Sequence, residues 1–170
     1  SDSVRRLFVS IFALVLISAV TYARAEAGTI NSFTTICSGN ISYDVTDDTH
    51  TRLPGSQSCT FSLNVTTDAN QGAVTLTAPK IKSTDGAKIS QNAFWATCSA
   101  NSDPSGIFSS IGLVQLGTGA VTCATISSHA TNKTVSFSVT LYLDDTPDSS
   151  AFPGDPAYAS ANLKVTASAP

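Results

Sequence analysis

Apolar and polar residues alternate strictly in three stretches of this chain, and a two-residue period predicts β-strands. From Cys59 to Thr66, the residues Cys59, Phe61, Leu63 and Val65 share one face, and Thr60, Ser62, Asn64 and Thr66 the other. Thr134 to Leu143 repeats the pattern, with Val135, Phe137, Val139, Leu141 and Leu143 inward. Tyr158 to Ala167 turns Ala159, Ala161, Leu163 and Val165 in and Ser160, Asn162, Lys164 and Thr166 out. Strands buried on one side only belong to an antiparallel sandwich. Fainter alternation marks Ile41, Tyr43 and Val45, then Val74, Leu76 and Ala78, then Phe94, Ala96 and Cys98. Leu113 to Leu116 and Ala120 to Ile126 read as a hairpin closed by Gly117-Thr-Gly119. Turn residues separate the strands at Pro54-Gly55, Asn70-Gln-Gly72, Asp85-Gly86, Asp103-Pro-Ser-Gly106 and Pro153-Gly154. No helical period and no internal repeat interrupts this. The pattern predicts one all-β domain over residues 37–170, an immunoglobulin-like antiparallel β-sandwich of about eight strands.

The N-terminus breaks the alternation. Arg5 and Arg6 precede a continuous apolar run from Leu7 to Val20, and Ala23-Arg24-Ala25 follows it. A basic start, a short apolar stretch and an A-x-A exit read as a secretory signal peptide over residues 1–25. The competing reading keeps the run as a membrane anchor, but a spanning helix needs roughly 20 apolar residues. This run is shorter and holds Ser10 and Ser18. Cleavage after Ala25 would leave Glu26 first, no stable membrane anchor, and a protein working outside the cytoplasm.

Composition then narrows the function. Removing Arg5, Arg6, Arg24 and Asp2 leaves 6 basic and 11 acidic residues, a net charge of about −5. Arg52 is then the single arginine. Nucleic-acid binders need clustered Lys or Arg, so that class is set aside. The 42% hydrophobic content supports a core, and the 12% charged fraction leaves hydroxyls to cover the outer faces.

Cys37, Cys59, Cys98 and Cys123 all follow the leader. In an oxidising compartment four cysteines read as two disulfides, favoured as Cys37–Cys59 and Cys98–Cys123 because each pair flanks a modest loop. Zinc competes, but no pair has C-x-x-C spacing and both histidines lie far from the cysteines.

Enzyme motifs are missing: there is no G-x-S-x-G, H-E-x-x-H, P-loop or dinucleotide fingerprint. His50 beside Asp47-Asp48 and His129 in Ser-Ser-His-Ala read as solvated turns, not as triad members. The expectation is a protein that is not an enzyme and carries no cofactor. Asp144, Asp145, Asp148 and Asp155 crowd one loop, either as weak calcium ligands or as a solvated crossing stiffened by Pro147, Pro153 and Pro156. Trp95, Tyr142 and Tyr158 fall on polar faces by alternation. Exposed there, all three read either as a contact for a neighbouring subunit or as a platform for a sugar ring, and for Trp95 a third reading has a bulge re-aim it into the core. Asn40-Ile-Ser, Asn64-Val-Thr and Asn132-Lys-Thr match the glycosylation sequon.

Val135-Ser-Phe-Ser-Val-Thr-Leu-Tyr-Leu, followed by Ala151-Phe-Pro-Gly-Asp-Pro-Ala-Tyr-Ala-Ser-Ala-Asn-Leu-Lys-Val-Thr-Ala, resembles the end of a chaperone–usher fimbrial subunit or a spore-coat U-like domain. Cys37, soon after the predicted cut, is similar to the early cysteine of that group. The chain differs in closing on Ala167-Ser-Ala-Pro170, where those subunits carry an aromatic. The resemblance implies a structural subunit of an extracellular fibre (pilus or fimbria) at the cell surface. Its partners would be copies of itself, with a periplasmic chaperone and usher. Each sandwich would lack one strand, and residues 26–36 of the next copy would fill the groove by β-strand addition. The candidate donor residues are Ile30 and Ile36 on one face, or Phe33 on the other. The alternative is a secreted monomeric binding module that holds carbohydrate through exposed aromatics.

Overall fold

The computed structural model describes residues 6–9, 13–15, 28–36, 41–44, 49–83, 88–144, 158–159 and 163–170. Two short strands come first, β1 (Arg6–Val9) and β2 (Ala13–Val15). Next come β3 (Thr29–Ile36), β4 (Ile41–Asp44), β5 (Arg52–Pro54) and β6 (Cys59–Thr66). The middle of the chain gives β7 (Gly72–Thr77), β8 (Ile81–Ser83), β9 (Lys88–Ile89) and β10 (Phe94–Ser102). A single 3-10 turn, Gln91–Ala93, leads into β10. β11 (Phe108–Ser110), β12 (Val114–Gln115) and β13 (Val121–Ile126) are followed by the long β14 (Lys133–Asp144). β15 (Tyr158–Ala159) and β16 (Leu163–Ser168) complete the described strands.

Two principal sheets form a β-sandwich-like fold. One runs β12-β10-β14-β6-β3, with β5 also pairing β14, and the other runs β11-β13-β7-β16-β2. Smaller sheets join β1 to β4 and β15-β8-β9. Pairing is antiparallel between all described strands except β16 and β2, which run parallel. β14 is long enough to pair β6 along Lys133–Val139 and β5 along Tyr142–Asp144.

The alternation in the sequence explains the core. β6 and β14 bury every second residue, including Phe61, Leu63, Val65, Phe137, Val139 and Leu141. Facing them, β7 and β16 bury Val74, Leu76, Leu163, Val165 and Ala167. Phe137 is the hub. Its ring stacks on Phe61 at 5.3 Å and on Phe108 of the other sheet at 5.2 Å, with Phe33 at 6.2 Å. Cys98 of β10 and Cys123 of β13 form a buried disulfide that ties the two sheets together. Cys59 is disulfide-bonded too, and Cys37 lies outside the described residues. Gly28 sits where the two sheets converge: a Cβ there would meet Thr66 O at 2.7 Å and Ala169 O at 2.8 Å. Only glycine admits that approach.

Three expectations from the sequence need correction. Leu113–Leu116 and Ala120–Ile126 do not form a hairpin: β12 pairs β10 in one sheet, while β13 pairs β7 and β11 in the other. The intervening glycines carry the chain between layers, with Leu116 N–H bonded to Phe94 O and Ala78 N–H to Gly117 O. Tyr158 to Ala167 is not one strand of the core sheet, since Tyr158–Ala159 pairs β8 and Leu163–Ser168 pairs β7. Ile30 and Ile36 do not share a face. A register shift at Asn31 turns Ile30 toward the core beside Phe33 and leaves Ile36 outside, 72% exposed.

Candidate functional site

The outer face of the larger sheet is almost uncharged. β6, β10 and β14 present Thr60, Ser62, Asn64, Thr97, Ser99, Thr134, Ser136, Ser138 and Thr140 there, and Thr60, Asn64, Thr134, Ser138 and Thr140 hydrogen-bond to side chains across strands. Ser58 Oγ lies 2.8 Å from Thr140 Oγ1, and Asn101 Nδ2 donates to Ser138 Oγ at 2.7 Å. Near the edge, Asn31 Nδ2 donates to Asn64 Oδ1 at 2.8 Å and to Thr66 Oγ1 at 3.1 Å. Asn64 Nδ2 in turn donates to Thr134 Oγ1 at 2.9 Å. The sequon amide of Asn64 is thus part of a polar ladder that holds β3, β6 and β14 in register. Asn132, another sequon residue, sits exposed at a turn with φ of 50°; Asn40 lies outside the described residues.

At one end of this face the ladder gives way to Trp95 and Tyr142, directly opposite each other on β10 and β14. Trp95 is half-buried on the outer face and is not re-aimed into the core. The Arg52 guanidinium of β5 covers one face of its ring, 4.0 Å from the centroid. Arg52 Nε also lies 3.6 Å from Asp144 Oδ1, its register partner on β14. Trp95 Nε1 is buried without a hydrogen-bond partner. Arg52 is the one arginine after residue 25, which marks it in the sequence, but its reach across β14 is set by tertiary pairing alone. Tyr158 is placed in β15 by its backbone.

The other acid–base candidates do not converge. Thr49 Oγ1 and His50 Nδ1 are 3.0 Å apart on the surface. His129, at φ of 59°, faces Asp68 at 3.9 Å, in the turn where Thr67 Oγ1 accepts from Ala130 N–H. Among the described residues the two histidines lie in separate surface segments, His50 beside Thr49 and His129 beside Asp68. Asp144 is engaged by Arg52, while Asp145, Asp148 and Asp155 lie outside the described residues. Among the described residues no group of three His, Cys, Asp or Glu side chains gathers to hold a metal. An open groove of about 400 Å³ beside Asn92, Gln115, Gly117 and Thr118 is lined without a carboxylate, imidazole or thiol. Among the described residues no helix is long and apolar enough to cross a membrane.

The edges of the sheets differ from these surfaces because they offer unpaired backbone. The segment read as a donor strand, Ile30, Phe33 and Ile36, is β3, paired with β6 of its own sheet. Phe33 is only 4% exposed and packs on Phe61 at 5.6 Å. β16 ends the body of the other sheet. One side pairs β7 from Lys164 to Ser168, and on the other, among the described residues, Ala13–Val15 lies opposite Leu163–Val165. Comparison of the chain with protein-family models, with curated proteins and with solved structures finds no match.

Proposed function

We propose that this chain is the structural subunit of an extracellular fibre, exported by its N-terminal leader and assembled by β-strand addition. The observation that carries this reading is the edge of β16. Without residues 1–25 that edge has no described neighbour, and its buried face of Leu163, Val165 and Ala167 would lie beside unpaired backbone. The strand order supports an immunoglobulin-like sandwich. β3-β6-β14-β10 follows the A-B-E-D order of that fold and β7-β16 its C-F pair, with β2 in the place of G. A sandwich one strand short is the acceptor that strand addition requires. Copies of the chain are its partners in the filament, with a chaperone and usher as the export partners that the resemblance implies. A sugar-binding role needs an open indole face, and Arg52 covers one face of Trp95.

Negative-stain microscopy of the protein from its native cell surface, wild type beside Ile36→Ser, tests this. Ile36 is exposed on an edge strand and contributes little to its own subunit, so the substitution leaves monomer stability within about 0.5 kcal/mol. Wild-type fibres that shorten or vanish in the variant are expected. Isolated particles from the wild type overturn the fibre.

A further inference from the structure

Among the described residues three large apolar side chains are exposed, and all three lie at sheet edges. Ile36 ends β3, one edge of the larger sheet. Ile111 and Leu113 lie between β11, an edge of the other sheet, and β12, the opposite edge of the larger one. Neither place carries a guard. Residues 27–43 and 104–132 hold no Asp, Glu, Lys or Arg, and β3 and residues 105–121 hold no proline, the devices that usually blunt an edge. Copies of an acidic chain repel one another least where two charge-free edges meet. The register also sets the two edges level. Ile36 pairs Thr60, Thr60 pairs Ser138 and Ser138 pairs Ser99. At the other edge Val114 pairs Ala96, and the same register carried back one residue sets Leu113 beside Thr97. Thr97 and Ser99 are two positions apart on one strand, so Ile36 and Leu113 share the outer face and differ in height by about 7 Å. Four antiparallel steps separate β3 from β12, so both edges run in the same direction.

We propose that the β3 edge of one copy docks on the β12 edge of the next, with Ile36 seated against Ile111 and Leu113. The two patches differ, so the contact is head-to-tail, and each added copy presents a fresh β3 edge and a fresh β12 edge. Neighbours then continue one sheet and are related mainly by a shift across it, so the array stays open. β3 takes part without leaving its own domain. One hydrogen-bonding side of it pairs β6, the other pairs no described strand, and Phe33 stays packed on Phe61. β12 has only two residues, so burial of the three apolar side chains carries the contact more than backbone pairing does. That the contact builds a fibre rests on the fibre reading; the contact between copies does not.

The test compares the protein recovered from its native cell surface as wild type, Ile36→Asp, Leu113→Lys and the double variant. Sedimentation velocity over a concentration series and negative-stain microscopy are read together. Both side chains are exposed, so each variant should melt as the wild type does, which separates a lost contact from unfolding. Each single charge is expected to weaken self-association roughly tenfold or more, and the double variant to recover it by placing opposite charges face to face. Single variants that associate as the wild type does overturn the contact, and fibres that persist in them leave the fibre reading standing. Weakening in both single variants without recovery in the double overturns the seating of Ile36 on Leu113. Association that follows the charge swap but yields no fibres sustains the contact and overturns the fibre reading. A wild type that stays monomeric at every concentration overturns both and leaves these edges to a different molecule.

Discussion

The two sheets finish their edges in different ways. β3 closes the larger sheet with eight residues, antiparallel to β6, and plants Phe33 among Phe61 and Phe137. Its Asn31 side chain reaches two residues of β6 as well. β2 closes the smaller sheet with three residues, in parallel, and comes from a stretch that reads as a leader. An edge strand stays where its side chains are anchored, because backbone pairing alone barely outweighs the entropy of ordering it. β3 is therefore anchored in the domain by side chains, while the described pairing of β2 is three residues of backbone. The contrast also constrains assembly: a β3 donated to another copy must first withdraw Phe33 from its own core.

The largest effect should come from removing that anchor. Phe33→Ala takes a buried aromatic from the Phe61–Phe137 cluster and is expected to cost about 3–5 kcal/mol in denaturant unfolding. Exchange should rise in β3 and β6 before it rises in β7 and β16. A loss under about 1 kcal/mol would mean that β3 is no better anchored than β2, and the comparison would fail. Next is the Cys98–Cys123 bond, which closes a sequence separation of 25 and joins β10 to β13. Replacing both cysteines by serine should cost about 3 kcal/mol through the freed unfolded chain. Since the bond belongs to neither edge, protection should fall in both sheets together. A fall confined to one sheet would show that the layers unfold separately.

How much of this was legible beforehand follows from what alternation encodes. Period two fixes which side chains of a strand share a face, so the buried sets of β6 and β14 were readable residue by residue. It does not say which sheet a strand joins. The stretches around Val114 and Val121, separated by a glycine turn, looked like a hairpin and went to opposite layers. Alternation also fails silently at a bulge, and one shift at Asn31 put Ile30 on the face of Phe33 and left Ile36 on the other. The Cys98–Cys123 pairing was expected from loop length, yet the bond spans the two layers and not neighbouring strands. At the outer face, Trp95 and Tyr142 were placed by parity. The Arg52 side chain over the indole was invisible, because it depends on β5 meeting the far end of β14.

Tyr43 sharpens the contrast from the side of the leader. Its hydroxyl is buried without a hydrogen-bond partner, and burial pushes the phenol above its ordinary value. The folded state then holds this proton more tightly than the unfolded chain does. Its contribution is fully present below the unfolded pKa of about 10 and is lost as pH rises beyond it, by up to about 1.4 kcal/mol per pH unit. Tyr43→Phe should remove that alkaline slope and raise stability at neutral pH by about 1 kcal/mol, since an unsatisfied buried group disappears. Tyr43 packs edge-on against Phe94 at 6.3 Å, so the slope should persist in chains with and without the leader. A slope lost on processing would show that β1, not the body, covers Tyr43.

The smallest effect is expected at Arg52, which lies on β5 and pairs with neither β3 nor β16. Arg52→Ala removes the cation over Trp95 and the contact with Asp144, between side chains 38% and 33% exposed. Solvent screens both, so the loss should stay near or below about 1 kcal/mol. Trp95 is the sole tryptophan, and its emission therefore reports this site alone. Uncovering the indole should shift that emission to the red while exchange at β3 and β16 stays as in the wild type. Added salt should weaken the Arg52–Asp144 contact in the wild type and leave the variant unaffected. A change in edge exchange in Arg52→Ala would mean that the outer face of β5, β14 and β10 sets how the sheet ends. The difference between the two edges would then belong to the whole sandwich instead of to Phe33 and the leader.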